Sequence, residues 1–71
     1  MKNLEFILKN QEYIELHNLL KVLGIVNSGG EAKVRIRSGE VLYNGEVETR
    51  KRKKLYVDDS VQIDDILIKI S

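Results

Sequence analysis

Ser28-Gly29-Gly30-Glu31-Ala32-Lys33-Val34-Arg35-Ile36-Arg37-Ser38-Gly39-Glu40-Val41-Leu42-Tyr43-Asn44-Gly45 opens a helix, closes it and turns a hairpin in one continuous stretch. Ser28 and Glu31 have the S-x-x-E spacing of a capping box: the hydroxyl takes the amide of residue 31, and the carboxylate reaches back to the amide of Ser28. The helix is expected over about residues 29–38, stopped by Gly39. Ala32 and Ile36 are four apart and face the core, while Lys33 and Arg37 form a second, basic stripe. Asn44-Gly45 is the preferred pair for a two-residue turn that needs positive φ at both positions. The hairpin therefore spans residues 41–48, with Val41 and Tyr43 expected inward opposite Val47.

Upstream, Leu16, Leu19, Leu20 and Leu23 recur at i, i+3, i+4 and i+7, one buried helical stripe that Gly24 ends. This predicts a first helix over about residues 14–23. Before it, alternation of Leu4, Phe6 and Leu8 predicts a strand over about residues 3–9. Downstream, Thr49-Arg50-Lys51-Arg52-Lys53-Lys54 has no apolar member and must be a solvated loop or strand edge. Leu55-Tyr56-Val57 returns to the body, Asp58-Asp59-Ser60 turns, and Val61-Gln62-Ile63 and Ile66-Leu67-Ile68-Lys69-Ile70 read as strands around Asp64-Asp65. There is no repeat, linker or Pro, so one domain over residues 1–71 is expected, with element order β-α-α-β-β-β-β.

Composition bounds the rest. Leu, Ile, Val and Phe make up 25 of the 71 residues, enough for a compact core but for no elaborate cavity. The absence of Cys excludes disulfide staples, zinc–thiolate sites and thiol catalysis. The apolar runs are too short for a membrane span, and no signal-peptide core follows Met1-Lys2. These features predict a cytoplasmic protein with no membrane partner. The formal net charge is only +1, yet residues 33–54 carry eight basic groups against Glu40, Glu46 and Glu48, and both ends are acidic. Such asymmetry points to a polyanionic partner.

The pattern of small residue, Glu, Ala, basic residue, aliphatic, Gly and then Val-x-x-Asn-Gly, followed by Glu48-Thr49-Arg50-Lys51-Arg52-Lys53-Lys54, resembles the αL RNA-binding domain family. That family is named for the small-subunit ribosomal protein number four, and the likeness is closest to its small stand-alone bacterial members. It covers about residues 13–70 and leaves the N-terminal strand as an addition. It implies an α+β fold, a two-helix αL motif packed on a small, mostly antiparallel sheet. Arg35 stands where many family members have Leu. Packing is therefore expected from Val34, and the orientation of Arg35 stays open.

A site follows from residue chemistry. A helix N-terminus offers unpaired amides and the positive end of a dipole to phosphate, and Gly29 and Gly30 leave that end bare. Ser28, Gly29, Gly30, Lys33, Arg37, Arg50, Lys51, Arg52, Lys53 and Lys54 are the candidate RNA-binding residues, on the expectation that the helix start and the basic run form one cationic surface. Each has a plainer reading: Ser28–Glu31 as a cap alone, the basic run as a solvated loop, Tyr43 and Tyr56 as core rather than stacking surfaces. His17 reads as a half-exposed ring, and Asp58, Asp59, Asp64 and Asp65 as turn residues, since their spacing does not match a calcium loop. No cofactor, metal or catalytic group is expected. The resemblance implies a non-enzymatic protein gripping the phosphate backbone of structured RNA, ribosomal RNA or a ribosome precursor. The alternative is a protein-interaction module whose basic loop docks an acidic partner.

Overall fold

The computed structural model describes residues 1–71. Lys2–Phe6 forms β1 and Ile14–Glu15 β2; helices α1 (Leu16–Val22) and α2 (Gly29–Arg37) follow. Then come β3 (Val41–Tyr43), β4 (Glu46–Val47), β5 (Lys54–Leu55), β6 (Ser60–Ile63) and β7 (Ile66–Ile70). Five strands make one sheet in the order β1-β7-β6-β3-β4, and β2 pairs with β5 in a separate two-stranded ladder. All pairs are antiparallel except β1 with β7. The α+β class, with two helices against a mostly antiparallel sheet, is as the sequence predicts. The short β2–β5 ladder is an addition.

Both helices end by the same device. Gly24 and Gly39 take positive φ, 73° and 86°. At the end of α1 the amide of Gly24 donates to the carbonyl of Lys21 and that of Ile25 to Leu20, at 3.0 Å each. At the end of α2, Gly39 donates to Ile36 at 3.2 Å and Glu40 to Arg35 at 3.3 Å. These paired bonds satisfy the last carbonyls of each helix and need a left-handed residue, which glycine adopts without steric cost. The start of α1 differs from expectation. Ile14 and Glu15 are extended, with Ile14 across from Leu55, so the helix begins only at Leu16.

Thirteen buried side chains form one core, in which Leu16, Leu19, Leu20, Ala32 and Ile36 of the helices meet Val41, Val61, Ile63, Ile68 and Ile70 of the sheet. β1 is shorter than expected, but Leu4, Phe6 and Leu8 are half-buried against this core while Glu5, Ile7 and Lys9 are exposed. No helix is long and apolar enough to cross a membrane.

The hairpin register corrects one inward assignment. Asn44 and Gly45 have φ of 50° and 90°, the pair a two-residue turn requires. This sets Tyr43 across from Glu46 and Leu42 across from Val47. Val47 therefore shares the face of Leu42, not that of Val41 and Tyr43, and is 59% exposed. Side chains alternate along a strand, so a one-residue offset reverses the face. Glu48, whose amide donates to the carbonyl of Val41 at 3.0 Å, takes the buried place.

Candidate nucleic-acid interface

The N-terminus of α2 is built by its cap. Ser28 is extended, and its Oγ accepts from the amide of Glu31 at 3.1 Å. The carboxylate of Glu31 reaches one residue further back than expected: its Oε1 accepts from the amide of Asn27 at 3.0 Å, not from Ser28. No protein acceptor takes the amides of Gly29 or Gly30. Neither glycine is required by the fold. Their φ angles lie outside the left-handed region. A Cβ would meet nothing within 4 Å at Gly29, and only Ser28 Oγ at 3.8 Å at Gly30.

Along α2, Lys33 and Arg37 are exposed one turn apart on the side away from Ala32 and Ile36. Val34 is also outward, 66% exposed, and contributes no packing to the core. Arg35 takes the more enclosed place. Its Nε donates to Glu40 Oε1 at 2.9 Å and its Nη2 to Asp64 Oδ1 at 2.6 Å, tying α2 to the β6–β7 turn. The bond to Asp64 first, then that to Glu40, raises the Arg35 pKa above its ordinary value. The charge of Arg35 is satisfied here because its guanidinium reaches two carboxylates.

The basic run is not a free loop. Its carbonyls cap α1: the amide of Leu16 donates to Lys53 at 2.9 Å and that of His17 to Lys51 at 3.0 Å. Glu15 supplies no side-chain cap, so these carbonyls satisfy donors that the helix start would otherwise leave open. The backbone is thereby held while the side chains project. Glu48 holds it from the other end. Arg50 Nε donates to Glu48 Oε2 at 2.9 Å, Nη2 to Oε1 at 3.2 Å, and the Arg50 amide to Oε2 at 3.0 Å. The Glu48 side chain is only 9% exposed, and these bonds from Arg50 lower its pKa against the opposing effect of burial. Counting outward from Asn44-Gly45 sets Glu48 opposite Val41, so this signal was present in the sequence. Arg50 is thus largely neutralised by an internal partner, although its side chain is 72% exposed.

Two further cations lie over rings. Lys53 Nζ is 4.7 Å from the centroid of Tyr43, and Lys54 Nζ is 5.0 Å from that of Tyr13. Tyr13 in turn lies against Tyr56, with centroids 5.8 Å apart and planes tilted by 51°. Tyr13 was not legible as a partner of this region, since only the β2–β5 ladder brings it there. His17 is half-buried, with Nε2 2.8 Å from Glu15 Oε1. Asp58 and Asp64 have positive φ in turns, and Asp59 accepts from the amide of Tyr56 and from Asn44 Nδ2.

Two adjoining concavities result. One, of about 430 Å³, is lined by Lys33 and Arg37 of α2 together with Thr49, Arg50 and Lys51. The other, of about 590 Å³, is lined by Arg50 to Lys54 and Tyr56. Arg50 and Lys51 belong to both, so the basic stripe of α2 and the whole basic run form one surface. Ser28, Gly29 and Gly30 line neither concavity; they lie one turn of α2 before Lys33.

A capped two-helix unit, with a hairpin and a cationic loop packed beside its second helix, defines the class. The chain belongs to the S4 domain family, whose model matches residues 6–71. Among its relatives is the proposed RNA-binding protein YbcJ of Escherichia coli, 43% identical over 79% of this chain and 80% of that protein. RlbA of Bacillus subtilis, a probable ribosome maturation protein, is 43% identical over 75% of each chain. The solution structure of YbcJ, described as having an αL motif involved in RNA binding, superposes with a TM-score of 0.70. That match is 36% identical and covers 93% of this chain and 84% of the other.

Proposed function

We propose that this chain is a non-enzymatic RNA-binding protein that grips the phosphate backbone of structured RNA, ribosomal RNA or a ribosome precursor. The observation that carries it is the concavity where Lys33 and Arg37 of α2 meet Thr49, Arg50 and Lys51. Cations from two separate segments converge there on a backbone that internal hydrogen bonds already hold in place. Such a surface meets a polyanion with little ordering cost in the main chain. The names borne by YbcJ and RlbA support RNA, and a ribosome precursor in particular, as the polyanion.

In this proposal Lys33, Arg37, Lys51, Arg52, Lys53 and Lys54 contact phosphates, and Arg50 mainly positions the loop. The open amides of Gly29 and Gly30 take a further phosphate at the start of α2, with Ser28 holding the geometry. Recognition is by backbone and shape, because Lys and Arg dominate the surface. The test is fluorescence polarisation with a labelled structured RNA at increasing salt. With about four to six phosphates neutralised, log K should fall against log salt with a slope of about −3 to −5. Affinity that barely moves between low and moderate salt would overturn the proposal. Failure of unlabelled RNA to compete with an acidic protein ligand would favour docking of a protein instead. Modified nucleosides appearing in RNA incubated with the purified protein would overturn the non-enzymatic part.

A further inference from the structure

Tyr56 is 41% exposed, although Leu55 beside it is fully buried. It is nonetheless held firmly. Its amide donates to Asp59 Oδ2 at 2.8 Å, its carbonyl accepts from the Asp59 amide at 3.0 Å, and two positions on the amide of Asp58 donates to the carbonyl of Ile70 at 2.8 Å. Tyr13 supports its ring from one side. Tyr56 is also the one apolar residue lining the larger concavity, whose other five residues are the cations Arg50 to Lys54. An exposed aromatic ring on a pinned backbone, backed by Tyr13 and set among cations, is not explained by core packing, and phosphate contacts alone do not use it.

We infer that Tyr56, backed by Tyr13, is a stacking platform for one unpaired nucleobase, while Lys51 to Lys54 hold the phosphates on either side of it. Every base presents a π face, so a platform of this kind accepts an unstacked base without reading its identity. A base inside an uninterrupted duplex is stacked on its neighbours and cannot reach the ring. The preferred ligand is therefore structured RNA with a bulged or looped-out nucleotide beside a helical segment. This rests on the RNA-binding proposal above and narrows its substrate class.

The experiment compares two blunt-ended RNA duplexes with the same number of base pairs, one fully paired and one with a single bulged 2-aminopurine. Binding to the intact protein is read by polarisation and by the fluorescence of the bulged base. The bulged RNA should bind about tenfold more tightly, and its 2-aminopurine should be quenched on binding. Tyr56→Leu should abolish both the preference and the quenching while leaving the salt slope unchanged. Tyr56→Phe, which keeps the ring, should retain both and guards against loss of fold. Equal affinity for the two RNAs, or a preference that survives in Tyr56→Leu, overturns the platform. If both RNAs bind with a steep salt slope but without discrimination, only this inference fails. If neither binds, the RNA-binding proposal fails with it.

Discussion

Glu48 and Arg50 sit at the edge of a stretch that composition reads as uniformly cationic, yet they act on stability as a pair. The bonds from Arg50 hold the Glu48 carboxyl below its ordinary value of 4.5. In the unfolded chain that carboxyl binds its proton at higher pH. Its contribution to stability is therefore complete above about pH 4.5 and is lost as the pH falls through the lower folded-state value. Glu40, lowered by the Ser38 hydroxyl and then by Arg35, acts in the same direction. Thermal melts in acid should show a falling midpoint over this window, and Glu48→Gln should flatten that dependence in part. Arg50→Ala should lower the midpoint at neutral pH, because it leaves a nearly buried carboxylate with the Arg50 amide as its remaining donor. Lys51→Ala and Arg52→Ala, whose side chains enter no ion pair, should leave it nearly unchanged. Mutating all three together would confuse folding with binding.

At the scale of the element, α2 separates stability from ligand affinity. Ser28→Ala removes the side-chain acceptor of the Glu31 amide and should cost about 1 kcal/mol, a drop of about 4–8 °C in a domain of this size. Gly30→Ala should do the opposite. The added Cβ meets only Ser28 Oγ at ordinary contact distance and the φ suits any L-residue, so stability should rise by about 0.4–1 kcal/mol. RNA affinity should fall, because the methyl group covers the amides proposed to take a phosphate. Melting curves and polarisation on the same variant check both signs, and unchanged RNA affinity would remove the helix start from the interface. The first helix tells a different story. Its start depends on carbonyls from residues 51 and 53, so its boundary is a tertiary fact. The leucine stripe predicts that helix well, but the expected range of 14–23 takes in Ile14 and Glu15, which the β2–β5 ladder claims.

For the molecule as a whole, the formal charge of +1 hides a local field. Neutralising Lys33 and Lys51, which line the same concavity, should reduce the salt slope by about two in magnitude. Lys69→Ala also removes a positive charge but lines neither concavity, and it should leave the slope as it is. An equal effect of Lys69→Ala would mean that overall charge, not the convergence of α2 with the basic run, governs binding.

The sequence alone determined the features that depend on a few neighbouring residues. The cap at Ser28, the glycine stops at 24 and 39, the leucine stripe and the Asn44-Gly45 turn are all of this kind, because each is a matter of local φ, ψ and periodicity. The register that buries Glu48 was equally local, and counting from the turn would have found it. Only the tertiary structure decided that β1 runs parallel to β7, that Arg35 clamps Asp64, that Tyr13 meets Tyr56, and that Lys33 and Arg37 face Lys51. Those pairings join residues far apart in the chain. Their selection depends on which surfaces the common core of helices and sheet brings together, and no short stretch of sequence encodes that.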